Sequence, residues 1–241
     1  MALKIKQAVI LAGGMGKRLM PLTKKIPKPM IKVFNYPFLD YLIYQLRING
    51  VKEIILLTGY KSAVIKKHYL NKKDIKIQYA SQKCDTGARL LKAYKELQDN
   101  FYLLYGDIYC NISFKKLTHL HLKNDQLITP SSFLNPHGKG EYGNLNNIKI
   151  KSKNEISKYS YKYRRRSYHA TDIGYFLVQK KTIKNLSNYP NPSFQRDLFS
   201  NIIKKNKTHC NLVKRKYFYI TKKEDVKIFE NYIVRTKRKI I

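Results

Sequence analysis

Cysteine is scarce in this chain. Cys84, Cys110 and Cys210 are odd in number and widely spaced. That spacing excludes a cysteine metal cluster and leads us to expect reduced thiols in a cytoplasmic protein. Long apolar runs are missing too. No stretch reaches about 18 consecutive apolar residues, so no transmembrane helix and no membrane partner are expected. An apolar strand pattern begins almost at the first residue, which leaves no room for a signal peptide. Acidic residues are few: 15 Asp and Glu stand against 49 Lys and Arg, for a net charge of +34 over 241 residues. One reading of this excess is binding of nucleic-acid phosphates. The other is codon bias, since Lys, Asn, Ile and Tyr are all abundant. Lys far outnumbers Arg and is spread along the whole chain, which favours codon bias. No recognised nucleic-acid module occurs, so no specific nucleic-acid partner is expected. No internal repeat or linker interrupts the chain, and a 43% hydrophobic content suffices for one full core.

What is present begins at Ile10-Leu-Ala-Gly-Gly-Met-Gly-Lys-Arg-Leu-Met-Pro-Leu-Thr-Lys-Lys-Ile-Pro-Lys-Pro-Met30. An apolar run, Ala8 to Leu11, can form a buried strand. A turn follows at Gly13, Gly14 and Gly16, where bare backbone N–H groups can close on phosphates. Two cations then arrive, Arg18 and Lys28, and prolines flank Lys28 and hold its backbone extended. The order G-G-x-G is not a dinucleotide fingerprint, and no acid occurs before Asp40. Nor is it a Walker loop, because no Gly-Lys-Ser/Thr follows at the required spacing. A plain strand–helix turn would explain Gly13-Gly14 alone, but not the added register of Arg18, Pro21 and Pro27-Lys28-Pro29.

Downstream, strands and helices alternate. Strands are expected at Gln7–Leu11, Glu53–Thr58, Ile75–Ala80 and Phe101–Tyr105. Leu39, Leu42, Ile43 and Leu46 recur at helical spacing, with Asn35 as a cap and Gly50 as a stop. Helices are also expected from Ser62 to Leu70 and from Gly87 to Leu97. This alternation predicts an α/β fold, a Rossmann-like, mostly parallel sheet flanked by helices. Ligands bind such sheets beyond the carboxyl ends of the strands, where the glycine loop, Gly59, Thr86-Gly87 and Asp107 fall. In the second half, strands are expected at Leu127–Phe133, Leu145–Ile150 and Ile173–Val178, and helices at Phe194–Lys204 and Glu224–Arg235. Tyr159–His169 is basic and aromatic and contains Arg164-Arg165-Arg166.

The N-terminal stretch resembles the signature of the sugar-1-phosphate nucleotidyltransferases, L-A-G-G-x-G-T-R-L-x-P-L-T-x-x-x-P-K-P-M. The likeness continues at Pro37-Phe-Leu-Asp-Tyr-Leu, Gly50-Val, Thr58-Gly-Tyr-Lys, Thr86-Gly and Tyr105-Gly-Asp107, and weakens after Ser113. In length and spacing the chain is similar to the shorter bacterial mannose- and heptose-1-phosphate guanylyltransferases. The resemblance implies one glycosyltransferase-A-like domain over residues 1–241. Residues 1–110 form its nucleotide-binding half. Residues 111–241 form a more irregular sugar-phosphate half ending in a helix. It implies attack of a sugar phosphate oxygen on the α-phosphate of a nucleoside triphosphate, GTP first among the choices, with release of pyrophosphate and Mg²⁺ as cofactor. The nucleotide-sugar formed would serve surface polysaccharide synthesis. A homo-oligomer is compatible with this.

Site residues follow from the same resemblance. Leu11, Ala12, Gly13, Gly14, Gly16 and Lys17 would line the nucleotide, and Arg18 would grip the β- and γ-phosphates. Lys28 would hold the α-phosphate or the sugar phosphate. Asp107 would hold the metal, the alternative being a plain Gly-Asp turn. Thr86 and Gly87 would lie near the nucleotide, and Gln82 is a candidate for a base-edge hydrogen bond or a plain surface residue. Lys162 and Asp172 are candidates for the sugar phosphate. Three departures stand out. Lys17 replaces the usual Thr. Lys83-Cys84-Asp85 replaces Pro-Leu-Gly, with Ala88-Arg89 following Gly87. Tyr219 stands where relatives carry a second metal-binding Asp, which leaves Asp172 or Asp225 as substitutes. A non-catalytic nucleotide-sugar-binding or regulatory homologue is therefore the alternative to an active enzyme.

Overall fold

The computed structural model describes residues 5–141, 143–161 and 167–236. In chain order the elements are β1 (Gln7–Ala12), β2 (Lys32–Val33), β3 (Tyr36–Pro37), α1 (Phe38–Ile48), β4 (Glu53–Thr58), α2 (Ser62–Tyr69), β5 (Ile75–Tyr79) and α3 (Thr86–Lys92). Then come β6 (Asn100–Tyr105), β7 (Ile108–Tyr109), α4 (Phe114–Lys123), β8 (Ile128–Leu134), β9 (Ile148–Ile150), β10 (Ile156–Tyr159) and β11 (Ala170–Gln179). The described chain closes with α5 (Ser200–Lys205), β12 (Asn211–Val213), β13 (Phe218–Tyr219) and α6 (Lys223–Arg235).

The central sheet runs β10-β9-β11-β6-β1-β4-β5, with β8 against β11 and β12 against β8. Its heart, β6-β1-β4-β5, is parallel. There β1, β4 and β6 are covered on both faces, so their residues divide strictly by parity, whereas β5 at the edge is covered on one face only. On one face Ala8, Ile10, Ile54, Leu56, Tyr102 and Leu104 pack under α1, α2, α4 and α6. On the other, Val9, Leu11, Ile55, Leu57, Phe101 and Leu103 pack under α3 and the segments 180–188 and 194–205. The second half extends the sheet with antiparallel pairs of β11 to β6, β8 and β9. β11 changes register between Asp172 and Tyr175, where Gly174 takes φ +68°. That kink turns the strand's first residues toward the site.

Several expected boundaries move. Asn35 does not cap α1: Pro37 occupies the cap position and Tyr36–Pro37 pairs with Lys32–Val33. Ser62 opens α2 with its hydroxyl 2.7 Å from that of Thr58, while Lys61 is the cap residue at φ 50°. The helix at Gly87–Leu97 ends at Lys92 and continues as a tighter turn, Tyr94–Glu96. Phe194–Phe199 is a π-helical turn before α5. α4, capped by Ser113 onto the Lys116 N–H at 3.2 Å, and the short strands β10 and β12 were not expected. Among the described residues no helix is long and apolar enough to cross a membrane.

His121 in α4 is fully buried, its ring nitrogens 2.8 Å from Thr129 Oγ1 and 3.1 Å from Asn100 Oδ1. Burial lowers its pKa to about 4. The unfolded chain therefore takes up a proton near pH 6.5 that the folded chain refuses until about pH 4. The contribution is present above pH 6.5 and is lost as pH falls through that window. Urea midpoints measured from pH 7 to pH 4 are expected to drop accordingly, and H121Q is expected to flatten the slope.

Candidate active site

The site is assembled at the carboxyl ends of β1 and β6. The backbone N–H of Gly106 donates to the Leu11 carbonyl at 3.0 Å, so the two strand ends are stitched together where both loops leave. The glycine loop then folds over this junction. Gly16 takes φ +62°, and a Cβ there would lie 2.9 Å from the Cβ of Lys28. The Thr23 hydroxyl donates to the Gly16 carbonyl at 3.0 Å, and the Tyr60 hydroxyl donates to the Thr23 carbonyl at 2.8 Å. These contacts bring Lys28, distant in sequence, over the end of β6. Its Nζ lies 2.5 Å from Asp107 Oδ2, with the lysine side chain 11% exposed and the carboxylate 34%.

Two cavities meet at Asp107. The first, about 320 Å³, is lined by Leu11, Gly13, Gly14, Gln82, Thr86 and Arg89, with Lys28 on its rim. The second, about 160 Å³, is lined by Arg18, Glu141, Asp172, Gln195 and Tyr217. Tyr105 and Asp107 line both. The Tyr105 hydroxyl is buried without a hydrogen-bond partner among the described residues. Burial, and behind it the Asp172 carboxylate, push its pKa well above the usual phenol value, so it stays a neutral O–H between the cavities.

The second cavity is rich in oriented polar groups. Asp172 Oδ1 accepts from the Gly174 N–H at 2.8 Å, and Oδ2 accepts from Gln195 Nε2 at 2.5 Å. Asn147 Oδ1 fixes the backbone N–H of Asp172 at 2.9 Å. The Tyr217 hydroxyl accepts from the Glu141 N–H at 2.8 Å, and Glu141 Oε1 lies 3.7 Å from Arg18 Nη2.

The expected residues thus divide. Leu11, Gly13, Gly14, Gln82, Thr86, Lys28 and Asp107 share the first cavity. Arg18 does not join Lys28 there: the short helical turn Lys17–Leu19 swings its guanidinium to the second cavity, beside Glu141. Lys17 is exposed and lines neither cavity, and Ala12 lies beneath the loop, fully buried. Gly87 also lies off the walls. It is small because the Pro192 carbonyl would sit 2.8 Å from its Cβ. Asp172 lines the second cavity, and Lys162 falls outside the described residues, as do Arg164-Arg165-Arg166. Glu141, Gln195 and Tyr217 were missed because none carries a motif of its own, and Tyr105 was read only as part of the Tyr105-Gly-Asp107 likeness, not as a site residue.

Tyr219 pairs with Ile108 in a two-stranded ladder, and the Ile220 N–H donates to the Asp107 carbonyl at 3.0 Å. The Tyr219 backbone therefore runs beside that of Asp107, while its ring lies 5.8 Å from that of Tyr217 and lines neither cavity. Asp225 is committed elsewhere, its Oδ2 accepting the N–H groups of Thr221 and Lys222 at 2.7 Å each. Among the described residues no three His, Cys, Asp or Glu side chains are grouped to hold a metal by themselves. Asp107, Glu141 and Asp172 do share one small cavity. That donor set is hard oxygen, which suits Mg²⁺ bound by one or two carboxylates together with substrate phosphates. Cys84 lines the first cavity, whereas Cys110 and Cys210 line neither. Burial pushes the thiols of Cys110 and Cys210 up to about 12 and about 11.

A cavity of about 320 Å³ beneath a glycine loop and a smaller polar cavity thus meet at Asp107, at the carboxyl ends of the strands of an α/β sheet. The sequence profile of the nucleotidyl transferase family matches residues 7–231, and the chain belongs to that family. Among curated proteins it is 39% identical over 114 residues to the D-glycero-alpha-D-manno-heptose 1-phosphate guanylyltransferase of Campylobacter jejuni, covering 46% of this chain and 52% of that one. It is 33% identical over 126 residues to the mannose-1-phosphate guanyltransferase of Aspergillus oryzae, covering 49% and 35%. The match thus spans about half the length of the heptose relatives. The structure of HddC from Yersinia pseudotuberculosis complexed with GMP-PN superposes with a TM-score of 0.76 at 25% identity, covering 95% of this chain and all of that one. The inositol-1-phosphate CTP transferase of T. maritima shares the fold, with a TM-score of 0.80 at 15% identity over the whole of both chains.

Proposed function

We propose that this chain transfers a nucleoside monophosphate from a triphosphate, GTP by preference, to a sugar 1-phosphate for surface polysaccharide synthesis. The observation that carries this is the Lys28–Asp107 pair, whose lysine lines the first cavity and whose carboxylate lines both. The heptose and mannose relatives, both guanylyltransferases of sugar 1-phosphates, support guanine and a sugar phosphate. In this reading residues 1–110 hold the nucleotide. The sugar phosphate lies among Asp172, Gln195 and Glu141 of residues 111–241, with Arg18 reaching across. The reaction belongs in the cytoplasm, with triphosphate and sugar phosphate as the only required partners.

The attacking sugar phosphate oxygen is already an anion, so no general base is required. Its bond to the α-phosphorus forms as the bond to the β-phosphate oxygen breaks, and the electron pair leaves with pyrophosphate. The difficulty is to bring two polyanions into line, so positioning and charge neutralisation carry the catalysis. The glycine loop presents backbone N–H groups to the nucleotide. Lys28 stands between the two substrates as a point charge for the α-phosphate. Arg18 neutralises phosphate on the sugar side. Asp172 and Gln195, each held by the other, accept and donate to sugar hydroxyls. Mg²⁺ held by Asp107 and the phosphates would supply further charge neutralisation. The high net positive charge raises the local concentration of both substrates.

Four triphosphates screened against several sugar 1-phosphates, read by pyrophosphate release, test the proposal. Release is expected with GTP and a heptose or mannose 1-phosphate. Tyr219, on the strand paired beside Asp107 where a second metal-binding Asp is expected, favours the second reading, a non-catalytic nucleotide-sugar binder. Nucleotide binding with no release from any pair would establish that reading instead.

A further inference from the structure

Arg89 follows Gly87 where the sequence departs from its relatives, and no step above uses it. It is 5% exposed, and no carboxylate among the described residues bonds its guanidinium. Instead it donates to four backbone carbonyls. Nε reaches Cys84 at 3.1 Å, Nη1 reaches Thr58 at 2.7 Å, and Nη2 reaches Ser81 at 3.3 Å and Gly13 at 3.5 Å. These carbonyls belong to the three loops that leave β1, β4 and β5. The guanidinium is pressed against them so closely that a Cβ on Gly13 would lie 2.0 Å from Nη1, and one on Gly59 2.4 Å.

A buried cation is an expensive plug. Burial lowers the pKa of Arg89, a sign that its charge is poorly compensated, and an apolar side chain would fill the same space without that cost. What an apolar side chain cannot do is orient peptide planes. A peptide is planar and trans, so a carbonyl turned down to Arg89 turns the next residue's N–H the opposite way. The Gly13 carbonyl faces Arg89 and also accepts from the Tyr60 N–H at 3.3 Å, so the Gly14 N–H faces away from both. The Ser81 carbonyl, shared between Arg89 and the Cys84 N–H at 3.0 Å, does the same for the Gln82 N–H. Gly14 and Gln82 both line the first cavity, and neither N–H donates to a described residue.

We infer that Arg89 is a positioning residue for nucleotide recognition: it holds the three loops with their carbonyls down so that the Gly14 and Gln82 amides stand as preset donors toward the bound nucleotide. The inference rests on the nucleotide-binding reading above. Two measurements on R89Q test it, with R89K, which keeps the charge but loses the fork, as the second variant should R89Q not fold. The first is GTP affinity by calorimetry alongside steady-state kinetics. Loss of one or two oriented donors is expected to weaken GTP binding about tenfold or more, with kcat at saturating GTP changed by less than about threefold. The second needs no ligand. Order parameters of the Gly14 and Gln82 amides from ¹⁵N relaxation are expected to fall from about 0.85 to below about 0.6. A variant that melts earlier but keeps both its GTP affinity and its order parameters overturns the inference. If the wild-type protein binds no GTP while the order parameters fall in the variant, the nucleotide reading fails and the hold of Arg89 on the loops stands.

Discussion

Replacing Lys28 by Met, or Asp107 by Asn, is expected to lower kcat/KM for pyrophosphate release by about 10³-fold or more. Lys28 carries a positive charge, only 11% exposed, in the wall of the first cavity against Asp107, which lines both. Removing it leaves the carboxylate of Asp107 facing the triphosphate with no cation between them. Removing the charge of Asp107 takes away the carboxylate nearest both cavities, and with it the one best placed to seat a divalent ion. The two residues act as a unit, so the double variant is expected to lose little more than either single one. Stability should change little: Lys28 is only 11% exposed, but Asp107 is one-third exposed, so water screens the pair on that side and its contribution is about 1 kcal/mol. Thermal melts that match the wild type, beside turnover lost by three orders of magnitude, are the expected outcome. Retention of a tenth of the activity in either variant is incompatible with the proposed chemistry.

The largest effect on stability is expected at Phe229. This α6 residue is fully buried at the centre of an aromatic cluster. Its ring lies 5.1 Å from that of Phe38, 5.3 Å from Tyr41, 5.0 Å from Tyr109 and 5.5 Å from Phe218. These neighbours belong to α1, β7 and β13, so one side chain pins the last helix to the first. It also pins that helix to the ladder that flanks Asp107. Because four rings cannot collapse into the space left behind, F229A is expected to cost about 3–5 kcal/mol, a large part of a domain's stability. The urea midpoint measures it. Ile228, next in sequence and 45% exposed, is the control: I228A should stay within about 0.5 kcal/mol of the wild type. A small loss in F229A would mean that α6 contributes little to the core.

The parallel heart of the sheet was legible because a strand buried on both faces is a continuous apolar run. Glu53–Thr58 appears in the structure with the boundaries expected of it. The α1 stripe was legible by its helical period, although its cap was not. Asn35 is a good capping residue, but a two-residue ladder pulls the chain extended through Pro37 and the helix starts one residue later. α4 escaped notice because basic residues dilute its apolar positions, and β12 because three residues carry no period. The π-helical turn that aims Gln195 at Asp172 has no sequence signature.

The sequence by itself determined that a glycine-rich, cation-bearing loop follows a buried strand, that an aspartate closes another, and that the fold alternates strand and helix. Those are local facts, set by backbone sterics and by periodic burial. Only the tertiary structure decided that Lys28 closes on Asp107 while Arg18 turns to the second cavity, that Tyr219 flanks Asp107, and that Arg89 underlies three loops. Each of these joins segments tens of residues apart. They depend on which way a side chain leaves its turn and on what already fills the space beside it, and no short window of sequence holds that information.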